Sequence, residues 1–132
     1  MDIEILKIAS DTKYHKILDD CTHKSKQKNP LCGDEMEVSV KVSENQILDF
    51  AYQCKSCIYC QASASVLSKF SINKKIDIIK EIIIFSDTFF QNMNVKIPKE
   101  WKRFDTLFNK KNLSRKDCIL LPFKALSKAL KS

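Results

Sequence analysis

The chain reads as an α+β fold: a small antiparallel sheet built on one hairpin and packed against several helices. Two observations predict this class. Residues 36–42 (MEVSVKV) and 46–53 (QILDFAYQ) each alternate apolar and polar side chains, the two-residue period of a half-buried strand. Beyond residue 58 the apolar spacing lengthens to that of amphipathic helices. An order of helix, hairpin, then helices segregates the two kinds of element, as α+β folds do.

Taken in order, residues 2–20 are predicted helical, with Ile5, Leu6, Ala9, Ile17 and Leu18 in one apolar stripe. Residues 21–30 are polar and end in Asn29-Pro30, which predicts a loop. In the first strand Met36, Val38, Val40 and Val42 share a face; Ser43-Glu44-Asn45 turn the chain; in the second, Leu48, Phe50 and Tyr52 share a face. Residues 58–70 place Ala62, Ser63, Val66, Leu67 and Phe70 at helical spacing, and residues 75–92 form a stronger helix through Ile79, Ile82, Ile83, Phe89 and Phe90. Residues 94–113 are mixed, with Pro98 suited to the first turn of a short helix carrying Trp101, Phe104 and Leu107. Residues 118–131 are helical by pattern, with Phe123, Leu126 and Leu130 on one side. Pro122 requires either a helix start near Leu121 or a distorted first turn.

With 132 residues the chain is expected to form one domain, 1–132, large enough to bury a core without disulfides. Its 44% hydrophobic and 30% charged residues are those of an ordinary globular protein, and no apolar run approaches the roughly 18 residues of a membrane span. The N-terminal MDIEILKIASDTKYHK lacks the parts of a secretory signal, so a cytoplasmic location is expected. The six cysteines are then expected to be reduced, and clustered reduced cysteines point to metal binding or catalysis. A net charge of +7 from scattered lysines, without a dense arginine block, reads as a solvated surface rather than a nucleic-acid interface.

Three segments carry the chemistry: Leu31-Cys32-Gly33-Asp34, the run CKSCIYCQASAS from Cys54 to Ser65, and Arg115-Lys116-Asp117-Cys118. Together they can offer three sulfurs and one oxygen to a soft or borderline metal, a set suited to zinc or an iron–sulfur cluster and not to calcium or magnesium. Gly33 permits a left-handed backbone that turns Cys32 and Asp34 toward one point. Antiparallel pairing brings the start of the first strand to the end of the second, so Cys32, Asp34 and Cys57 are expected at one end of the hairpin. Cys118 joins them only through the tertiary fold. Cys54 and Cys60 flank Cys57 as C-x2-C-x2-C without the further C-x3-C-P of a ferredoxin, and read as core or auxiliary thiols. Cys21 reads as incidental, and His15 and His23 as exposed. Arg115, Lys116 and Lys55 can depress the thiol pKa values if they face the site.

Asn29-Pro30-Leu31-Cys32-Gly33-Asp34, then Cys57 with Ala62-Ser63-Ala64-Ser65, then Arg115-Lys116-Asp117-Cys118 with Phe123-Lys124-Ala125-Leu126, resemble the IscU/SufU/NifU N-terminal scaffold family. The resemblance covers about residues 25–130, with the motifs in the family's order. The long Cys57–Cys118 stretch and the terminal Lys-Ala-Leu look more like the SufU branch. By position, the resemblance implies Cys32, Asp34, Cys57 and Cys118 as metal or cluster ligands. Cys32 and Cys118 are the candidate persulfide acceptors, and Asp34 the residue that keeps the cluster labile. It also implies a pyridoxal-phosphate cysteine desulfurase as sulfur donor and apo-proteins as cluster recipients. Three departures stand out: Asp117 where the IscU branch has histidine, Cys54-Lys55-Ser56 where glycine is usual, and Cys60 in place of a small residue.

The leading reading is therefore a scaffold, not an enzyme, that builds a transient [2Fe–2S] or [4Fe–4S] cluster, as a monomer or transient dimer away from membranes. The second is a zinc-dependent sulfurtransferase of the SufU kind. The third, a structural zinc module binding nucleic acid, lacks a paired C-x2-C…C-x2-C arrangement and a basic recognition helix.

Overall fold

The structure, a computed structural model, describes residues 3–29 and 33–131. Its centre is the hairpin of β2 (Glu35–Ser43) and β3 (Gln46–Lys55), paired antiparallel. Glu44 and Asn45 join them with φ of 51° and 64°, the left-handed pair that matches the twist of two strands. The ladder slips once: Lys41 faces Asp49 while Val42 faces Ile47, leaving Leu48 as the extra residue of a β-bulge. The slip decides which side chains enter the core. Val40 and Val38 pair with Phe50 and Tyr52 on the buried face, as the alternation predicts. Past the bulge, Ile47 turns inward and is fully buried, whereas Leu48, expected beside Phe50 and Tyr52, is 43% exposed. Backbone bonds from Ile47 to Lys74 and from Asn73 to Ile47 hold this end of the hairpin against the chain that follows.

Residues 21–30, expected as a loop, contain a third strand, β1 (His23–Lys28), antiparallel to β2 in the order β1-β2-β3. Its sequence, HKSKQK, has no apolar residue through which an alternation can show, and Ser25 alone is buried. Lys24–Glu37 (3.4 Å) and Lys26–Glu35 (3.8 Å) cross to β2 as diagonal pairs. Such exposed pairs each contribute at most about 1 kcal/mol, and edge lysines also discourage pairing with another chain.

The predicted helix over 2–20 is cut short. Helix α1 is Ile3–Ala9, burying Ile5 and Ala9 and leaving Leu6 exposed. The chain near His15 instead lies along the free edge of β3. There the Tyr52 N–H donates to the Tyr14 carbonyl at 2.9 Å, and the His15 ring stacks on Tyr52. A strand edge offers backbone hydrogen bonds to an extended neighbour and none to a helix, and Ile17 is exposed as a result.

Helices α2 (Ile58–Ser71), α3 (Ile76–Phe89) and α4 (Lys116–Lys131) complete the structure, with 3-10 turns at Lys99–Phe104 and Lys110–Arg115. Pro98 precedes the first of these turns as its cap, one position outside the expected place, and Leu107 lies beyond its end. Phe85, Phe89, Phe104, Phe108 and Phe123 join α3, this segment and α4, with ring centroids 5.5–5.9 Å apart. Helix α4 does not wait for its proline: it begins at Lys116 and runs through Pro122. Among the described residues, no helix is long and apolar enough to cross a membrane.

The bulge makes a direct prediction. Phe50→Ala should cost about 3–5 kcal/mol by opening the core, while Leu48→Ala should stay within about 0.5 kcal/mol. Urea unfolding midpoints check both, and comparable losses at the two positions would exclude the bulge at Leu48.

Candidate metal centre

Asp34 stands immediately before β2, at the end of the connection from β1. That connection is drawn tight: the Asn29 N–H donates to the Asp34 carbonyl and the Gly33 N–H to the Asn29 carbonyl, both at 2.8 Å. Gly33 has φ of 76°. A Cβ there would meet no atom within 4 Å, so the backbone conformation rather than crowding calls for glycine. Cys32 lies outside the described residues.

Cys57 follows the second strand of the hairpin, two residues past β3, as the N-cap of α2. Its side chain makes no capping hydrogen bond, so the thiol is not committed to its own helix. The register sets Glu35 opposite Lys55, which brings Asp34 and Cys57 out at the same end of the sheet. Cys118 arrives from elsewhere, in the first turn of α4. One ligand atom from each of Asp34, Cys57 and Cys118 lies within 4.8 Å of the others.

The donor set fits a cation. Asp34 is buried, and its Oδ2 has no hydrogen-bond partner among the described residues. A buried carboxylate oxygen without a donor is expensive, on the order of 1–3 kcal/mol or more, and a cation held with the two sulfurs would satisfy it. Two soft thiol sulfurs with one harder carboxylate oxygen make a mixed set suited to zinc or iron.

Burial raises the Cys118 thiol well above its usual pKa, and the neighbouring Cys57 thiol and Asp34 carboxylate raise it further. Burial likewise raises Cys54 and Cys60. The cations beside the motifs do not offset this. The Arg115 guanidinium sits 5.3 Å over the Tyr59 ring, Lys55 and Lys116 are exposed, and none of the three is among the groups acting on Cys118. The metal-free Cys118 thiol is thus protonated at neutral pH, and a cation entering as thiolate ligands form must displace protons.

The remaining candidates fall outside the triad. Cys60 is fully buried in the hydrophobic core, and Cys54, half-buried in β3, pairs with Met36. Cys21 is half-buried. His23 is half-buried rather than exposed, its Nδ1 2.8 Å from the Thr22 hydroxyl. His15 is exposed against Tyr52. Sequence reasoning passed over Gln61, whose Nε2 donates to the Ser56 carbonyl at 2.9 Å and steadies the residue before Cys57. A lone glutamine five residues along carries no motif to mark it.

Residues 4–111 match the NifU-like N-terminal domain family, a span that includes Asp34 and Cys57 and ends before Cys118. Over 128 residues the chain is 30% identical to the iron–sulfur cluster assembly scaffold protein IscU of Thermotoga maritima, covering 96% of this chain and 89% of that protein. The crystal structure of a nitrogen-fixing NifU-like protein (N-terminal) from Brucella abortus is similar at a TM-score of 0.86 and 21% identity, covering 98% of this chain and 91% of that one. That of an iron–sulfur cluster assembly scaffold protein for the SUF system, from Fervidobacterium islandicum, is similar at 0.88 and 23%, covering 98% and 96%. At those identities the two structures speak for the fold.

The raised thiols set a pH dependence. In the unfolded chain these thiols ionise near about pH 8.5, while in the metal-free fold they resist. Their contribution is therefore fully present below that pH and lost as pH rises. The metal-free protein should keep its stability from pH 6 to 8 and weaken above about pH 8.5. Urea midpoints across pH test this, and a midpoint that rises above pH 9 would contradict it.

Proposed function

The chain belongs to the NifU-like N-terminal domain family, the family of iron–sulfur cluster assembly scaffolds, and on that premise we propose that it accepts sulfur from a cysteine desulfurase, assembles a labile cluster and passes it to apo-proteins. The observation that supports this most is the meeting of Asp34, Cys57 and Cys118, with the buried Asp34 Oδ2 left without a partner among the described residues. Cys32, separated from Asp34 only by the left-handed Gly33, supplies the third sulfur. The ligand set is then Cys32, Asp34, Cys57 and Cys118.

Sulfur arrives as a persulfide on the pyridoxal-phosphate desulfurase. The thiolate of Cys32 or Cys118 attacks its terminal sulfur, the desulfurase cysteine leaves as a thiolate, and the persulfide is now on this chain. Reducing that sulfur to sulfide takes two electrons from an external thiol or electron-transfer protein. A bound cation favours the thiolate form that the attack needs. Asp34 contributes the one hard donor, so the cluster, which is cargo, is held less firmly than by four thiolates. The cytoplasm suits this chemistry because it keeps the cysteines reduced. The protein acts as a monomer or a transient dimer.

A second reading is favoured by Asp117, which precedes Cys118 where the IscU branch carries histidine. On that reading the same residues hold zinc, and the protein relays persulfide sulfur as a zinc-dependent sulfurtransferase.

Anaerobic incubation with a cysteine desulfurase, cysteine and ferrous iron separates the two. Iron and acid-labile sulfide appearing together with a visible absorption band support the scaffold. Zinc near one per chain, with sulfur loading and no cluster, supports the sulfurtransferase. Asp34→Ala should lengthen the lifetime of a bound cluster against a chelator several-fold, and a shortened lifetime would remove Asp34 from that role. Cys32→Ser, Cys57→Ser and Cys118→Ser should each weaken metal binding by at least about tenfold. Full retention by any one would strike that residue from the set.

A further inference from the structure

Cys57 and Cys118 reach the centre on different helices, and a buried hydrogen bond joins those helices beside it. Ser63 lies on α2, is fully buried, and donates its hydroxyl to the Ile119 carbonyl at 2.6 Å. Ile119 is the residue after Cys118. Pro122 makes that bond matter. In an uninterrupted helix the Cys118 carbonyl accepts from the N–H four residues on, and that residue is Pro122, which has none. The turn that presents Cys118 is therefore one rung short at Cys118 itself. Ser63 contributes a bond at the next carbonyl, from the helix whose N-cap is Cys57.

Among the described residues none of the other three serines of α2 bonds to α4, and the Ser71 hydroxyl has no partner. Ser65 donates to the Asp11 carbonyl at 3.0 Å, and Ser68 to the Ser65 carbonyl at 2.8 Å within the helix. Ser63 is placed to fix the separation of the two cysteines, and a hydrogen bond in so dry a setting is stronger than one at the surface.

We infer that Ser63 is a positioning residue for the metal centre, holding Cys118 in register with Cys57 through the Ile119 carbonyl. This rests on the reading that Asp34, Cys57 and Cys118 bind metal. Groups that orient metal ligands typically contribute about 10–100-fold in affinity, because ligands already in place need no ordering when the ion arrives.

The test uses Co2+ as probe, with wild type, Ser63→Ala and Ser68→Ala. Three quantities are read: the dissociation constant, the thiolate-to-cobalt charge-transfer absorption per bound ion, and the urea midpoint of the metal-free protein. Ser68 is the matched control, being equally buried and bonded but without a link to α4. The expected result is about tenfold or greater weakening and a diminished charge-transfer band for Ser63→Ala. Ser68→Ala should lose stability yet bind Co2+ like the wild type. Unchanged affinity and spectrum in Ser63→Ala, or equal weakening in Ser68→Ala, overturns the role. Failure of the wild type to bind Co2+ overturns the metal reading and this inference with it. If Ser63→Ala does not fold, exchange of the wild-type Ser63 hydroxyl proton decides. By linkage, Zn2+ should slow it if the bond positions the centre, and no effect overturns the role.

Discussion

Antiparallel pairing of β2 with β3 sets Glu35 opposite Lys55, and the centre depends on that register. It brings the chain entering β2 and the chain leaving β3 to one end of the sheet, so a carboxylate and a thiol far apart in sequence emerge together. The register is not that of the tight turn alone. Had the ladder continued from Glu44-Asn45 without the bulge, Val40 would face Asp49 rather than Phe50, and the strand would present its other face to the core. The extra residue at Leu48 corrects the pairing by one position. Core composition and site geometry are thus settled by the same irregularity.

The centre is a costly place to leave metal-free. It gathers a carboxylate oxygen without a donor among the described residues and the Cys118 thiol that burial keeps protonated, so it adds little to the stability of the metal-free chain. Stability comes from elsewhere: the aromatic cluster binding α3 to α4, and the apolar face of the sheet beneath α2 and α4. This division suits the proposed role, in which the cargo leaves. A site that held the fold together could not release its metal without unfolding.

Helix α4 carries two demands at once. Its apolar face, with Phe123, Leu126 and Ala129 buried, anchors it in the core, while its first turn must offer Cys118 to the centre. Pro122 separates the two parts, because it breaks the backbone ladder at Cys118. The Ser63 hydroxyl restores a connection there from outside the helix. The Arg115 guanidinium, over the Tyr59 ring, adds a second link between the start of α2 and the turn leading into α4.

The alternations of 36–42 and 46–53, the helical periods of 58–70 and 75–92, and the three cysteine-bearing motifs were legible along the chain because each is a local pattern of residue type. The expectation that Asp34 and Cys57 lie together also came from local information, since a hairpin joins its own ends. The strand His23–Lys28 was not legible, because a polar edge strand has no hydrophobic period and exists only where β2 offers it backbone partners. Nor was the early end of α1, which gives way to pairing along β3, or the outward turn of Leu48. The arrival of Cys118 beside Cys57, and the Ser63 bond that accompanies it, depend on how two helices pack, and no pattern within either helix records its neighbour. The sequence by itself determined which residues have the chemistry to bind a metal; only the tertiary structure decided which are brought within reach of one another.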